Sequence, residues 1–196
     1  MRYPNSNKTF HKKISHANRG MVLEELINEA NRFYLENNIA VIYKKPTPIG
    51  IVEVKSNDKR KIITKAFFKE PSTLDYSGIY RGKYIEFDAK ETKCKTSFPL
   101  ANISKNQINH MKNVINHGGI SFLIIKINDG FYFVDGSYII NFIESKKRKS
   151  IPFSNIEEYG YKIDRRNLVQ IDYIKIIDKI IGGIKNEVYW KIYKKG

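Results

Sequence analysis

Two aspartates and a lysine stand out in the stretch "STLDYSGIYRGKYIEFDAKETK", residues 72–93, within a chain of formal net charge +15. Arg81-Gly82 has the composition of a two-residue hairpin turn, glycine tolerating the positive φ such a turn needs. Counting back from it pairs Tyr80 with Lys83, Ile79 with Tyr84, Gly78 with Ile85, Ser77 with Glu86 and Tyr76 with Phe87. Asp75 then opposes Asp88. Directly opposed side chains have Cβ atoms about 5 Å apart, and like charges there repel. A divalent cation, protonation of one partner or a nearby lysine would each relieve that repulsion. Side chains alternate across a strand, so Thr73, Asp75, Asp88 and Lys90 converge on one face of this ribbon, with Glu86 further along it. Three oxygen donors without a Cys/His cluster favour a hard ion, magnesium or alternatively manganese, over zinc. The competing reading is a solvated, salt-bridged face whose other side is buried by Phe87 and Ala89.

The elements needed to hold this ribbon are legible on both sides of it. Leu23, Leu26, Ile27, Ala30, Phe33 and Tyr34 form a helical stripe over about 21–37. "NNIAVIYKK" reads as a strand stopped by "PTP". "IVEVK" and "KRKIITKAFFK" read as a hairpin carrying Lys55, Lys59, Arg60, Lys61, Lys65 and Lys69. "SKNQINHMKNVINHGG" reads as a helix that Ser104 caps and Gly118 ends. "GISFLIIKI" and "GFYFVDG" read as strands, and "SYIINFIESKKRK" and "DYIKIIDKII" as helices. This order gives a mixed α/β (α+β) fold, a central mixed sheet flanked by helices, and not an alternating βαβ series. "IGGIKN" lacks the strand-to-helix context of a phosphate-binding loop.

Composition limits the partners. The charge exceeds the roughly 2–8 of an ordinary small domain and implies an anionic partner, nucleic acid before a membrane surface. The plainer explanation is that surplus lysine serves solubility. Residues 1–20 contain Arg2, Lys8, Lys12, Lys13 and Arg19 and no acid, and read as a flexible basic arm. Cys94 is the only cysteine, which excludes an intrachain disulfide and suits a reducing compartment. The first residues contain no secretory apolar stretch, and "ISFLIIKI" is too short to span a bilayer. The expectation is a soluble, cytoplasmic protein with no membrane partner. His11, His16, His110 and His117 are scattered and read as surface or core residues.

Asp75, twelve intervening residues, then Asp88-Ala89-Lys90 is similar to the PD-(D/E)xK nuclease signature. Together with "NRGMVLEELINEAN", "IAVIYKKPTP", "STLDYSGIYRGKYIEFDAKETKCKTSFPL", "NQINHMK" and "IDYIKII", it resembles the RecU Holliday junction resolvases. The resemblance runs from the arm to about Ile181 and leaves the tail, 182–196, unmatched. It implies a restriction-endonuclease-like nuclease domain over 21–181 and a basic hairpin stalk at about 46–70 that projects into the open centre of a four-way junction. It also implies a homodimeric, magnesium-dependent endonuclease cutting junctions symmetrically in recombination and repair, with recombination or branch-migration proteins as further partners. Carried onto this chain, Thr73, Asp75, Asp88 and Gln107 fall at metal-site positions, and Lys90 at that of the residue stabilising the transition state. The family commonly has Glu where this chain has the shorter Asp88.

Gln107 has a second reading, since Ser104-x-x-Gln107 is a capping box. Glu24 lies at the border of the first helix's stripe and is a second-tier candidate, as is Glu86. The alternative for Glu24 is a plain acid near a helix N-terminus, where the helix dipole favours it. The DNA-contacting candidates are Arg19, Lys55, Lys59, Arg60, Lys61, Lys65 and Arg81. Two other functions use the same charge: a non-catalytic nucleic-acid-binding module, and a restriction-like duplex endonuclease on the same fold.

Overall fold

The computed structural model describes residues 19–57, 60–70, 72–145, 148–164 and 169–182. The stripe read over about 21–37 becomes α1 (Arg19–Glu36), which begins two residues before Met21. Then come β1 (Val41–Lys44), β2 (Ile49–Asn57), β3 (Arg60–Phe68), β4 (Tyr76–Tyr80), β5 (Lys83–Glu91) and a short β6 (Ser97–Pro99). The chain continues through α2 (Lys105–Asn116), β7 (Ile120–Ile127), β8 (Gly130–Asp135), α3 (Gly136–Glu144), β9 (Ser150–Pro152), α4 (Phe153–Tyr159), β10 (Tyr161–Lys162) and α5 (Ile174–Ile180). Residues 1–18, most of the expected arm, and 183–196, nearly all of the tail, lie outside the described residues.

Six strands form one mixed sheet in the order β1-β4-β5-β7-β8-β10. Only β5 and β7 run parallel, and α2 makes the crossover between them. One face is closed by α1 and α5 over Leu23, Ile27, Ala30, Tyr34, Ile174 and Ile177. On that face Tyr76, Phe87, Phe122 and Phe133 stack from strand to strand, with ring centroids 4.8, 4.7 and 4.0 Å apart. Such cross-strand aromatic contacts hold neighbouring strands in register. The other face is closed by α2, α3 and α4 over Met111, Leu123, Ile125, Val134, Ile139 and Ile156. Glu86, Asp88 and Lys90 belong to this second face, because they alternate with Ile85 and Phe87 of the first.

The Arg81-Gly82 turn is as read from the sequence. Both residues have positive φ, 50° and 73°, which suits the right-handed twist of the strands. The pairs run from Tyr80↔Lys83 to Tyr76↔Phe87. On the other side β4 meets β1 so closely that a Cβ on Gly78 would lie 2.0 Å from the Val41 carbonyl oxygen. No side chain fits there.

β2 and β3 form a separate two-stranded sheet, its β3 exposed along its length and Gly50 of β2 buried under the Phe67 ring. These two strands lie within the segment expected at about 46–70 to form a basic hairpin. A bulge around Glu53 interrupts its pairing. Beyond the bulge Lys55 pairs with Ile62, and Val54 with Ile63.

Several elements differ from the sequence reading, which contained none of the short strands β6, β9 and β10. The helix expected over 137–149 ends at Glu144, where the Ser145 hydroxyl donates to the Phe142 carbonyl and competes with the backbone ladder. The short α4 has no counterpart in the sequence pattern, because Ile156 is its one buried side chain and a single residue makes no stripe.

Candidate active site

The β4–β5 ribbon brings Asp75 and Asp88 together. Asp75 is the residue before β4 and continues the register one step past Tyr76↔Phe87. Its carbonyl accepts from the Lys45 N–H at 2.7 Å, which extends the β1–β4 ladder up to the site. Asp88 is fully buried at the centre of β5, and Asp75 is half-buried. Burial raises the Asp75 pKa above the ordinary 3.8, and the Asp88 charge and a hydrogen bond to Asp88 raise it further. Lys90 and Lys44 act in the opposite direction. One of the three ways of relieving the repulsion, a nearby lysine, is therefore present in the protein alone.

Asp88 is held at both oxygens. Oδ1 accepts from its neighbour's backbone, the Ala89 N–H, at 2.7 Å. Oδ2 accepts from Gln107 Nε2 at 2.8 Å and lies 2.7 Å from Lys90 Nζ. Lys90 is two residues along the same strand and so on the same face. Its ammonium is tethered by the carboxylate yet partly open to solvent.

Gln107 forms the expected capping box and also reaches Asp88. Its backbone N–H donates to the Ser104 hydroxyl at 3.2 Å, and its Oε1 accepts from the Ser104 N–H at 3.1 Å, completing the capping box. Its remaining amide hydrogens point at Asp88. In this arrangement Gln107 orients Asp88, while its own oxygen is engaged by the helix cap. Thr73 is half-buried on the approach to β4, its hydroxyl turned to the Leu74 carbonyl at 3.4 Å.

Glu24 on α1 is 2.5 Å from Lys44 Nζ. Burial raises the pKa of the Tyr76 hydroxyl, and the charges of Glu24, Asp75 and Asp88 raise it further. These three carboxylates thus surround one end of β4. Among the described residues no group of three or more His, Cys, Asp and Glu side chains is drawn together as a metal centre. The acidic donors at the site are the Asp75–Asp88 pair. Two close carboxylates are an oxygen donor set that a hard divalent cation fits.

Sequence reasoning missed the surroundings of Glu86. This carboxylate is fully buried and takes hydrogen bonds from Lys45, Tyr84, His110 and the Leu74 backbone. His110, read as an incidental surface or core residue, has its Nε2 2.6 Å from Glu86 Oε2. The available signal was its position three residues after Gln107, on the same helix face.

The candidate DNA contacts divide three ways. Lys55, Arg60, Lys61 and Lys65 are exposed on the β2–β3 hairpin. Lys59 and the Arg19 side chain lie outside the described residues. Arg81 is turned to Asp178 of α5 at 3.2 Å, an acid that also accepts from the Tyr80 hydroxyl at 2.7 Å. Its guanidinium therefore braces the turn against α5.

Residues 18–179 match the family model of RecU, Recombination protein U. This chain belongs to the RecU family. The Holliday junction resolvase RecU of Bacillus mycoides is 47% identical over 195 residues, covering 92% of this chain and 98% of that protein. The Holliday junction resolvase RecU of Bacillus cytotoxicus is 46% identical over the same coverage. The solved structure of Hjc, a Holliday junction resolvase from Archaeoglobus fulgidus, aligns with 71% of this chain and 95% of its own, at 8% identity and a TM-score of 0.44.

Proposed function

We propose that this RecU-family chain is a Holliday junction resolvase: a magnesium-dependent endodeoxyribonuclease that cuts four-way DNA junctions by paired, symmetric phosphodiester hydrolysis. The observation that carries the reading is the convergence of Asp75, Asp88 and Lys90 on one ribbon of a strongly basic protein. Asp75 and Asp88 would hold the cation, with the Thr73 hydroxyl beside them and Gln107 acting through Asp88. Bound there, the ion supplies charge neutralisation at the phosphate and an activated water at neutral pH. Lys90 holds a positive charge beside the carboxylates, where it stabilises the negative charge that develops on the phosphoryl oxygens. Glu24, paired with Lys44, flanks the same end of the sheet. Manganese, with the same oxygen preference, should substitute.

The hairpin supports branched DNA as the substrate. Lys55, Arg60, Lys61 and Lys65 offer contacts to phosphates, which position a protein without reading sequence. The hairpin also exposes Ile51, Val52, Phe67 and Phe68, with Phe68 81% exposed. A lone two-stranded hairpin is marginal in water, and apolar patches of this kind mark interaction sites. We assign that surface to a second copy of the chain, because two matched cuts need two sites related by a two-fold axis. No helix among the described residues is long and apolar enough to cross a membrane. Acting on junctions, the enzyme would work in the cytoplasm in recombination and DNA repair, where recombination or branch-migration proteins would be further partners.

The deciding experiment incubates the protein with four-way junctions and with linear duplex, each with magnesium, with manganese and with chelator. The expected result is metal-dependent cutting of junctions only, at symmetric positions. Binding without cutting under any ion would make the chain a non-catalytic binding module. Cutting of plain duplex at a fixed sequence would make it a restriction-like nuclease.

A further inference from the structure

Glu86 lies two residues from Asp88 on the same buried face, yet its surroundings differ from those of Asp88. Four donors converge on it from four separate segments. Oε1 accepts from Lys45, just after β1, and from the backbone N–H of Leu74 at 3.3 Å. Oε2 accepts from the Tyr84 hydroxyl at 3.1 Å on its own strand and faces His110 of α2 at 2.6 Å. A carboxylate has about four acceptor sites, so this one is saturated. It has no spare oxygen with which to hold an ion.

What those donors are attached to gives the cluster its meaning. Leu74 stands between Thr73 and Asp75, so its hydrogen bond pins the segment that carries both. Lys45 holds the same segment a second way, its backbone N–H donating to the Asp75 carbonyl at 2.7 Å. His110 is one helical turn from Gln107, whose amide holds Asp88. Through one buried charge, the loop bearing Asp75 and the helix orienting Asp88 are fixed to the same strand. Breaking a buried, charge-assisted network leaves unpaired groups behind, so its geometry is held strongly. Burial raises the Tyr84 pKa first, and the Glu86 charge raises it further, which keeps that hydroxyl a donor.

We propose that Glu86 is a positioning residue: its carboxylate, with Lys45 and His110, sets the separation of Asp75 and Asp88 and thereby the geometry of the catalytic centre. The proposal rests on the junction-resolvase reading for its kinetic consequence, but not for its structural one. Outer partners that orient ion-holding carboxylates typically change metal affinity or activity by about 10–100-fold when removed.

The test compares wild type with Glu86→Gln, which keeps shape and loses charge, and with His110→Gln, a milder change at the half-exposed rim. Hydrogen exchange in the metal-free protein is the first readout. The amides of residues 73–75 should exchange faster in Glu86→Gln while those of α1 and β7 keep wild-type protection. Uniformly faster exchange would mean a merely structural residue and would overturn the proposal. The second readout is manganese affinity by electron paramagnetic resonance, and the third is junction cleavage. Affinity and kcat should each fall by about 10–100-fold, with junction Kd in chelator unchanged. Wild-type kcat in Glu86→Gln would also overturn it. If Glu86→Gln does not fold, His110→Gln decides: the same local exchange change and a smaller kcat loss support the proposal, and unchanged values of both overturn it. A wild-type protein that cuts no junction, together with the local exchange change in the variants, would refute the resolvase reading and leave the positioning role standing.

Discussion

Burial and the neighbouring Asp88 charge raise the Asp75 pKa, and Lys90 acts against that rise. The consequence has a definite sign. A carboxyl whose folded-state pKa is raised contributes stability below its unfolded value, and that contribution is lost as pH rises through the folded value. Metal-free protein should therefore lose stability as pH climbs from the ordinary Asp value of 3.8 through the raised value of Asp75. Asp75→Asn should abolish that part of the pH dependence. An opposed like-charge pair of this kind destabilises by up to ~1 kcal/mol, so the variant should melt up to about 2–4 °C higher near neutral pH for a chain of this size. Thermal scans of both proteins in chelator check this. The same variant should lose junction cutting, a trade of function against stability that is common at active sites. Lys90→Ala should keep the fold and junction Kd while kcat falls by roughly 10²–10³-fold, the typical loss of one group that stabilises transition-state charge. Single-turnover cleavage at saturating protein measures it, and a normal rate would remove Lys90 from the mechanism.

The ribbon, as an element, was legible before any coordinates because its information is local. Arg81-Gly82 sets the turn, the turn sets the register, and strand alternation sets the face. Gly78 adds a constraint from β1 that no local pattern carries. Gly78→Ala should act as an overpacked core position and cost ~1–3 kcal/mol, a Tm lower by about 2–12 °C. The hairpin β2–β3 was equally legible, through β-branched runs around a polar turn. What sequence reasoning could not supply was set by contacts distant along the chain. Lys45 and His110 reach Glu86 across 41 and 24 residues. Arg81 meets Asp178 across 97 residues, so a basic residue on a turn proved to be a brace. The capping box at Ser104 and Gln107 illustrates the intermediate case: its local half follows from spacing, while its bond to Asp88 depends on how α2 lies on the sheet. The hairpin lysines carry their own prediction. Each phosphate contact contributes about 0.9 to the slope of log affinity against log salt, so Lys61→Ala with Lys65→Ala should flatten that slope by about 1.8. Junction titrations across a salt series read it directly.

At the scale of the whole molecule, the site and the hairpin demand different things of a partner. One site hydrolyses one strand, and nothing in Asp75, Asp88 or Lys90 couples two cuts. Under the dimeric reading proposed above, coupling comes from the surface that would join two copies, and we assign that surface to the exposed apolar side chains of the hairpin. Ile51→Lys with Phe68→Lys places charge on that surface without touching the β4–β5 ribbon, since both side chains are already exposed in the single chain. The substituted protein should fold normally and sediment at 22.9 kDa, the mass of one chain, where wild type should sediment at twice that. A supercoiled plasmid extruding a cruciform then separates the functions. Paired cuts across the junction linearise it, whereas independent single cuts leave a nicked circle. Wild type should give linear product, and the variant should give nicked circles almost exclusively, at a rate limited by weaker junction binding. Linear product from a monomeric variant would mean that pairing of the cuts arises from the DNA and not from the hairpin contact. A variant that remains dimeric would move the interface to another surface, with the exposed edge of β1 around Val41 and Tyr43 next to be substituted.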